Sequence, residues 1–168
     1  MSTWNSIKTD KGLALEAKMI AGATLSITRC VSGSGTVPIS NLHSQTDVKN
    51  IEQTLSMENT SVEGNRFSIR SILINNSLSS GYNLNQIGFY ANDPDEGEIL
   101  YAIAQISTPK PIPSKDDAPG YGIQFTFTFE NSSEATININ LDTSGIATVD
   151  TVEKIVGGMV ELGPDITD

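Results

Sequence analysis

The stretch "IQFTFTFE" runs from Ile123 to Glu130. Ile123, Phe125, Phe127 and Phe129 alternate without a break with Gln124, Thr126, Thr128 and Glu130. A β-strand sends successive side chains to opposite faces, so strict alternation describes a strand with one dry face and one wet face. That pattern belongs to antiparallel sheets; parallel sheets are covered on both faces and read as continuous apolar runs. Each Phe or Ile buried on the dry face contributes about 1.5–3 kcal/mol. These eight residues predict an antiparallel sheet packed on one side.

The same period extends outward. After a turn at Asn131-Ser132-Ser133, Ile137, Ile139 and Leu141 alternate with Thr136, Asn138 and Asn140. Upstream, "IEQTLSMENTSV" and "RFSIRSILIN" flank Glu63-Gly64-Asn65, a Gly-containing hairpin connection. Phe67, Ile69 and Leu73 share one face there, and Arg66, Ser68 and Arg70 take the other. "YNLNQIGFYAN" and "EILYAIAQIS" read as two more strands, and "ATLSITRCVSGSG" alternates around Leu25 and Ile27 before its glycines. "VPISNLHSQTDVKN" has no clean period and reads as a loop; "PKPIPSKDDAPG" is proline-rich and polar and reads as a long surface loop. The expected fold is mainly β, an antiparallel β-sandwich with an N-terminal helix and a short C-terminal helix.

The N-terminal helix is predicted from "TDKGLALEAKMIAG", with Thr9 or Asp10 capping its start and Gly22 at its end. Leu13, Ala17 and Ile20 form one apolar stripe, and Leu15 and Met19 a second on another face. Deep burial accounts for two stripes; so does a body on one side and a partner on the other. Near the C-terminus, Asp150 and Glu153 have the spacing of a capping box. Val152, Val156 and Met159, flanked by Ile155 and Val160, then form an apolar seam too short to stand alone in water. Gly157-Gly158 weakens it by roughly 1 kcal/mol per glycine. It folds back on the sheet or meets copies of itself. The candidate interface residues are therefore Leu15, Met19, Val152, Ile155, Val156, Met159 and Val160. Residues 1–148 are expected to form the body, and 149–168 a short helical segment and tail.

With 168 residues the chain fits one domain with a short appendage. A net charge of −10 argues against nucleic acid, whose phosphates need a basic patch, and against an anionic membrane surface. Cys30 is the only cysteine, so no intrachain disulfide is possible; a cytosolic site of synthesis fits. The N-terminal "MSTWNSIKTDKG" has no apolar signal core, and no run approaches 18 apolar residues, so membrane insertion is not expected.

Four acids, Asp93, Asp95, Glu96 and Glu98, fall within six residues between two strands. A calcium loop of the EF-hand type needs an acid or Asn at its fifth place, Gly at its sixth and Glu at its twelfth. Counted from Asp93, these places hold Gly97, Glu98 and Ala104. Asp93-Pro94-Asp95-Glu96-Gly97 instead has turn chemistry: Pro presets φ, Asp caps its own backbone, and Gly takes a positive φ. His43 is the single histidine and has no ligand-like neighbours in sequence. "SGSG" at Ser32–Gly35 lacks the lysine and hydroxyl of a phosphate loop. Cys30 reads as a small buried hydrophobe, and Trp4 and Tyr82 as core or edge aromatics. No catalytic constellation, metal site or cofactor is expected.

The order of motifs, "TDKGLALEAKMIAGATLSITRCVSGSG", then "SQTDV", then "GYNLNQIGFYANDPDEGEILYAIAQ", resembles the N-terminal domain of phage tail-collar fibre proteins. These occur in tailed phages and in phage-tail-like bacteriocins. The resemblance covers roughly residues 4–148, and the Asp-Pro-Asp-Glu-Gly-Glu stretch is most similar to the version in phages of Gram-positive hosts. It implies a structural virion or particle component that docks a tail fibre or receptor-binding protein to the baseplate. It also implies a homotrimer, partners among baseplate and downstream fibre proteins, and a place in the tail of a particle made in a bacterial cytoplasm. The family's shaft and tip do not follow in these 168 residues, so a baseplate-proximal adaptor or a very short fibre is expected.

Two other classes compete. A carbohydrate-binding β-sandwich contacting the host envelope needs exposed aromatics, for which Trp4, Tyr82 and Tyr121 are the candidates. A glycan hydrolase needs two carboxylates about 5–10 Å apart in a cleft, which a tight turn does not provide.

Overall fold

The computed structural model describes residues 3–19, 24–63, 66–130, 139–141 and 160–166. The alternating stretch is strand β7 (Gly122–Glu130). Phe125, Phe127 and Phe129 are fully buried, while Gln124, Thr126, Thr128 and Glu130 on the other face are half-buried. Ahead of β7 come β1 (Trp4–Lys8), helix α1 (Asp10–Met19), β2 (Leu25–Gly33), a 3-10 helix (Ile39–Ser44), β3 (Ile51–Glu63), β4 (Arg66–Ile74), β5 (Tyr82–Asp93) and β6 (Gly97–Ile112). β8 (Ile139–Leu141) and β9 (Val160–Ile166) follow it.

The strands join edge to edge in the order β1-β6-β5-β2-β3-β4-β7-β9, with β8 on β2. From β1 to β7 every pairing is antiparallel, as the alternation predicts. β8 and β9 join in parallel. β3 belongs to both halves of the curl: its first residues pair with β2, as in Cys30↔Leu55, and its later ones with β4, from Ser56↔Ile72 to Glu63↔Arg66. The sheet thereby folds on itself and brings β5 over β7. Phe89 of β5 meets Phe127 and Phe129 edge-on, with centroids 4.9 and 5.0 Å away, and Phe67 of β4 stacks on Phe129 at 4.8 Å. These separations lie in the favourable range for aromatic pairs. Leu25, Ile27, Leu55, Ile69, Leu73, Leu84 and Ile87 complete this core.

Directions follow from the pairing. Six antiparallel steps lead from β1 to β7, so the two strands run the same way, and β9 runs with them. Contacts at both ends agree: Trp4 packs edge-on against Phe125 at 5.9 Å, and Lys8 Nζ donates to the carbonyl of Glu130. The first strand therefore starts at one pole of the fold and the last strand ends at the other. The second pole also carries α1, the β5–β6 turn, and the β3–β4 end, where Arg66 pairs with Glu130.

Four expectations need correction. Leu15 and Met19 are buried in this chain's own core, so they are not a free interface; Leu13 and Ala17 form the outward face of α1, with Leu13 42% exposed. The proline-rich loop is shorter than expected, because β6 runs on to Ile112. β1 covers β6 only as far as Ile106, and beyond that the prolines occupy an edge where a missing N–H is harmless. The segment 39–44 is a 3-10 helix within the expected loop. Val160, the last residue of the expected C-terminal seam, opens strand β9 and is not helical. Val152, Ile155, Val156 and Met159 lie outside the described residues, as do the turn at 131–133 and the alternation at 136–138.

α1 sits against β6 through Gly12. A Cβ built there would lie 2.1 Å from the carbonyl oxygen of Tyr101, a backbone atom that cannot rotate away. Ala is the better helix former by about 1 kcal/mol, but the clash outweighs it. Gly12→Ala is expected to lower the unfolding free energy by about 1–3 kcal/mol in urea titration; an unchanged or raised value would show that α1 is not held this closely.

Candidate functional site

The three segments compared above with tail-collar fibre domains, residues 9–35, 44–48 and 81–105, pack together in the fold. The first is the start of α1. Thr9 caps it: its hydroxyl oxygen accepts the Gly12 N–H at 3.0 Å and its hydroxyl donates to the carbonyl of Leu100. The Thr9 N–H donates to the Tyr101 carbonyl at 3.0 Å. One residue thus closes the helix and pins it to β6.

The second is the acidic turn. Asp93 is buried, and its Oδ1 accepts the N–H groups of Asp95 at 2.8 Å and Glu96 at 3.3 Å. Gly97 follows at φ +80°, the conformation that ends the turn at least cost in a residue without Cβ. This is the self-capped turn read from the sequence. Each acid also meets a cation. Lys18 Nζ of α1 lies 2.7 and 2.9 Å from the two Asp93 oxygens and 2.9 Å from Asp95. Lys11 reaches Glu96 at 2.5 Å, and Arg29 of β2 reaches Glu98 at 3.0 Å while lying 4.0 Å over the Tyr90 ring. Hydrogen bonds from Lys18 and from the Asp95 N–H hold the Asp93 carboxyl below the usual carboxylate range. The Lys18 ammonium is pushed up to about 12, chiefly by its hydrogen bonds to Asp93 and Asp95.

The third is "SQTDV", Ser44–Val48, which crosses the outer face of β5. Gln86, fully buried, accepts the Lys49 N–H at 3.0 Å and donates to Gln45 at 3.0 Å and Gln105 at 2.8 Å. Gln105 in turn pairs with the Val37 N–H and C=O at 3.0 and 2.9 Å. Tyr90 donates to Asp47 at 2.8 Å and accepts the Val48 N–H at 3.0 Å; burial pushes its hydroxyl up to about 12. Val48 wedges against Gly33 and Gly88 in a second small core with Val31, Leu42, Leu100 and Ile103.

Between α1 and the end of β7 lies a buried ionic contact. Lys8, 1% exposed, pairs with Glu16, and Glu16 accepts the Tyr101 hydroxyl at 2.7 Å. Losing one member of such a pair strands a buried charge, at a cost of about 3–5 kcal/mol. Lys8, Glu16, Gln86 and Gln105 were not singled out from the sequence. The available signal was weak: Gln86 and Gln105 interrupt the apolar runs of β5 and β6, Glu16 lies between the core residues Leu15 and Met19 on α1, and Lys8 ends β1.

The remaining candidates occupy structural positions. His43 Nδ1 lies 3.0 Å from the Asp10 carboxylate at the surface. The Cys30 thiol is enclosed, and burial pushes it up to about 12. Trp4 and Tyr121 pack on the core, and the Tyr82 hydroxyl bonds to Gln53 at 2.7 Å and Ser32 at 2.8 Å. Among the described residues no three His, Cys, Asp or Glu are placed to hold a metal ion, and no helix is long and apolar enough to cross a membrane. Comparison with family models, with curated proteins and with solved structures finds no match to this chain.

The Asp93–Lys18 contact has a pH signature. A carboxyl with a lowered folded value stabilises fully above its unfolded value, about 3.9. That contribution is lost as the pH falls through the folded value. Asp93→Asn is expected to unfold at lower urea than wild type at pH 7, with the gap closing below about pH 4. A gap independent of pH would mean that the carboxylate charge is not what holds the turn.

Proposed function

We propose that this chain is a structural component of a phage tail or phage-tail-like bacteriocin, docking a tail fibre or receptor-binding protein to the baseplate. The observation that carries this reading is the convergence just described. The motifs that resemble those of tail-collar fibre domains are the segments that hold one another: Gly12 against Tyr101, Lys18 on Asp93, and Gln45 and Val48 on Gln86 and Gly88.

Two further features support it. The first strand begins at one pole and the last ends at the other, the geometry of a module that connects two bodies in line. Among the described residues, Asp93, Asp95, Glu96, Glu98 and His43 are engaged in turn contacts and ion pairs, which fits a non-enzymatic role. The carbohydrate-binding alternative needs an aromatic platform, whereas Trp4, Tyr82 and Tyr121 are committed to packing or hydrogen bonds. In this reading the protein acts as a homotrimer in the tail or baseplate, is made in the bacterial cytoplasm, and contacts a baseplate protein and a downstream fibre or receptor-binding protein.

Gold-labelled antibody against the chain, applied to purified particles, is expected to mark the baseplate end of the tail, with copy number a multiple of three by quantitative mass spectrometry. Absence from particles, or hydrolysis of an envelope glycan by the purified chain, would overturn the proposal.

A further inference from the structure

β9 is attached differently from the strands of the antiparallel body. β3 and β4 meet through a tight connection, with Glu63 opposite Arg66, and β5 and β6 through the turn after Asp93. β9 instead runs parallel to β7, and a parallel neighbour must arrive by a crossover. Eighteen residues, 142–159, separate it from β8. Fully extended, that length reaches roughly 60 Å, enough to arrive at β7 of the same chain or of an adjacent copy.

The pairing itself is interrupted. Leu162 lies opposite Thr126 and Asp165 opposite Thr128, so Gly163 and Pro164 together face Phe127 alone. Pro164 has no N–H to give the ladder. Yet the strand ends on a firm anchor: Ile166, opposite Phe129, is fully buried in the main core. A strand with an interrupted ladder gives up fewer backbone bonds on withdrawal than a continuous one, and its withdrawal leaves the β7 edge and the site beside Phe129 open. The sequence that refills this edge with every contact restored is another β9. Exchange between identical copies conserves those contacts and so adds little to the free energy of association.

We infer that β9 is an exchange strand: in the self-associated protein, β9 of one copy occupies the β7 edge of the next, closing a ring. This rests on the self-association proposed above and gives it a physical means.

Thr128 and Asp165 are register partners, and opposed cysteines on adjacent strands fall within disulfide reach. Thr128→Cys and Asp165→Cys, made in separate chains, are unfolded, mixed, refolded and mildly oxidised. Cys30 is buried and its thiol protonated, so it stays out of the reaction. The expected result is a two-chain band on a non-reducing gel, several-fold above either variant alone, and multi-chain covalent species from the double variant. Closure of the double variant within its own chain, with the mixed single variants uncrosslinked, overturns the inference. If light scattering then shows a trimer, strand exchange fails while the attachment reading stands; a monomer removes exchange and the homotrimer together.

Discussion

The aromatic ladder of β7 is the constraint on which the rest of the molecule depends. Phe125, Phe127 and Phe129 project from one face of one strand into the space between the two layers of the curled sheet. Phe89 meets Phe127 and Phe129 from the opposite layer, Phe67 stacks on Phe129, and Trp4 closes the side where the first strand passes, against Phe125 and Phe127. Each such burial contributes about 1.5–3 kcal/mol, a large share of the net stability of an ordinary domain. Tyr101 extends the cluster toward α1: its ring lies 6.0 Å from Phe129, and its hydroxyl bonds to Glu16. The helix, the acidic turn that rests on it, and the last strand are all placed by reference to that cluster.

Polar contacts supply direction where the apolar core supplies cohesion. Buried side chains that must find partners tolerate few arrangements. Lys8 fixes where β1 meets α1 and the end of β7, and Gln86 fixes how the 34–50 segment lies across β5. The acidic turn belongs to the same class. A cluster of four carboxylates looks like a cation site in isolation, but Lys18, Lys11 and Arg29 answer it from α1 and β2. The chain's net charge of −10 therefore says little about this turn, where opposite charges lie within 3.0 Å.

What the sequence disclosed was local. Alternation located β7, the β3–β4 hairpin was visible from its glycine, and the turn after Asp93 was legible because its chemistry is contained in five consecutive residues. Contacts between distant residues were not legible. Lys8 and Glu130 are 122 positions apart, and Gln45 and Gln86 are 41 apart, and no period links them. The two stripes of α1 were visible, but which one faced the core was set by Gly12 approaching Tyr101. The prolines after Ile106 misled because a strand edge and a loop both accept proline, and only the sheet order separates them. Val160 could be assigned to a helical seam because the sequence does not display the edge of β7 that pairs with it.

A body fastened in this way can transmit a load between its poles, as the proposed tail attachment requires, only if β7 and its neighbours open last. Native-state hydrogen exchange measures that order directly. The account predicts that the amides of Phe125, Phe127 and Phe129 exchange only through global unfolding, with a free energy matching urea denaturation. Exchange of β7 through a lower-energy opening, while β5 and β6 remain protected, would contradict it.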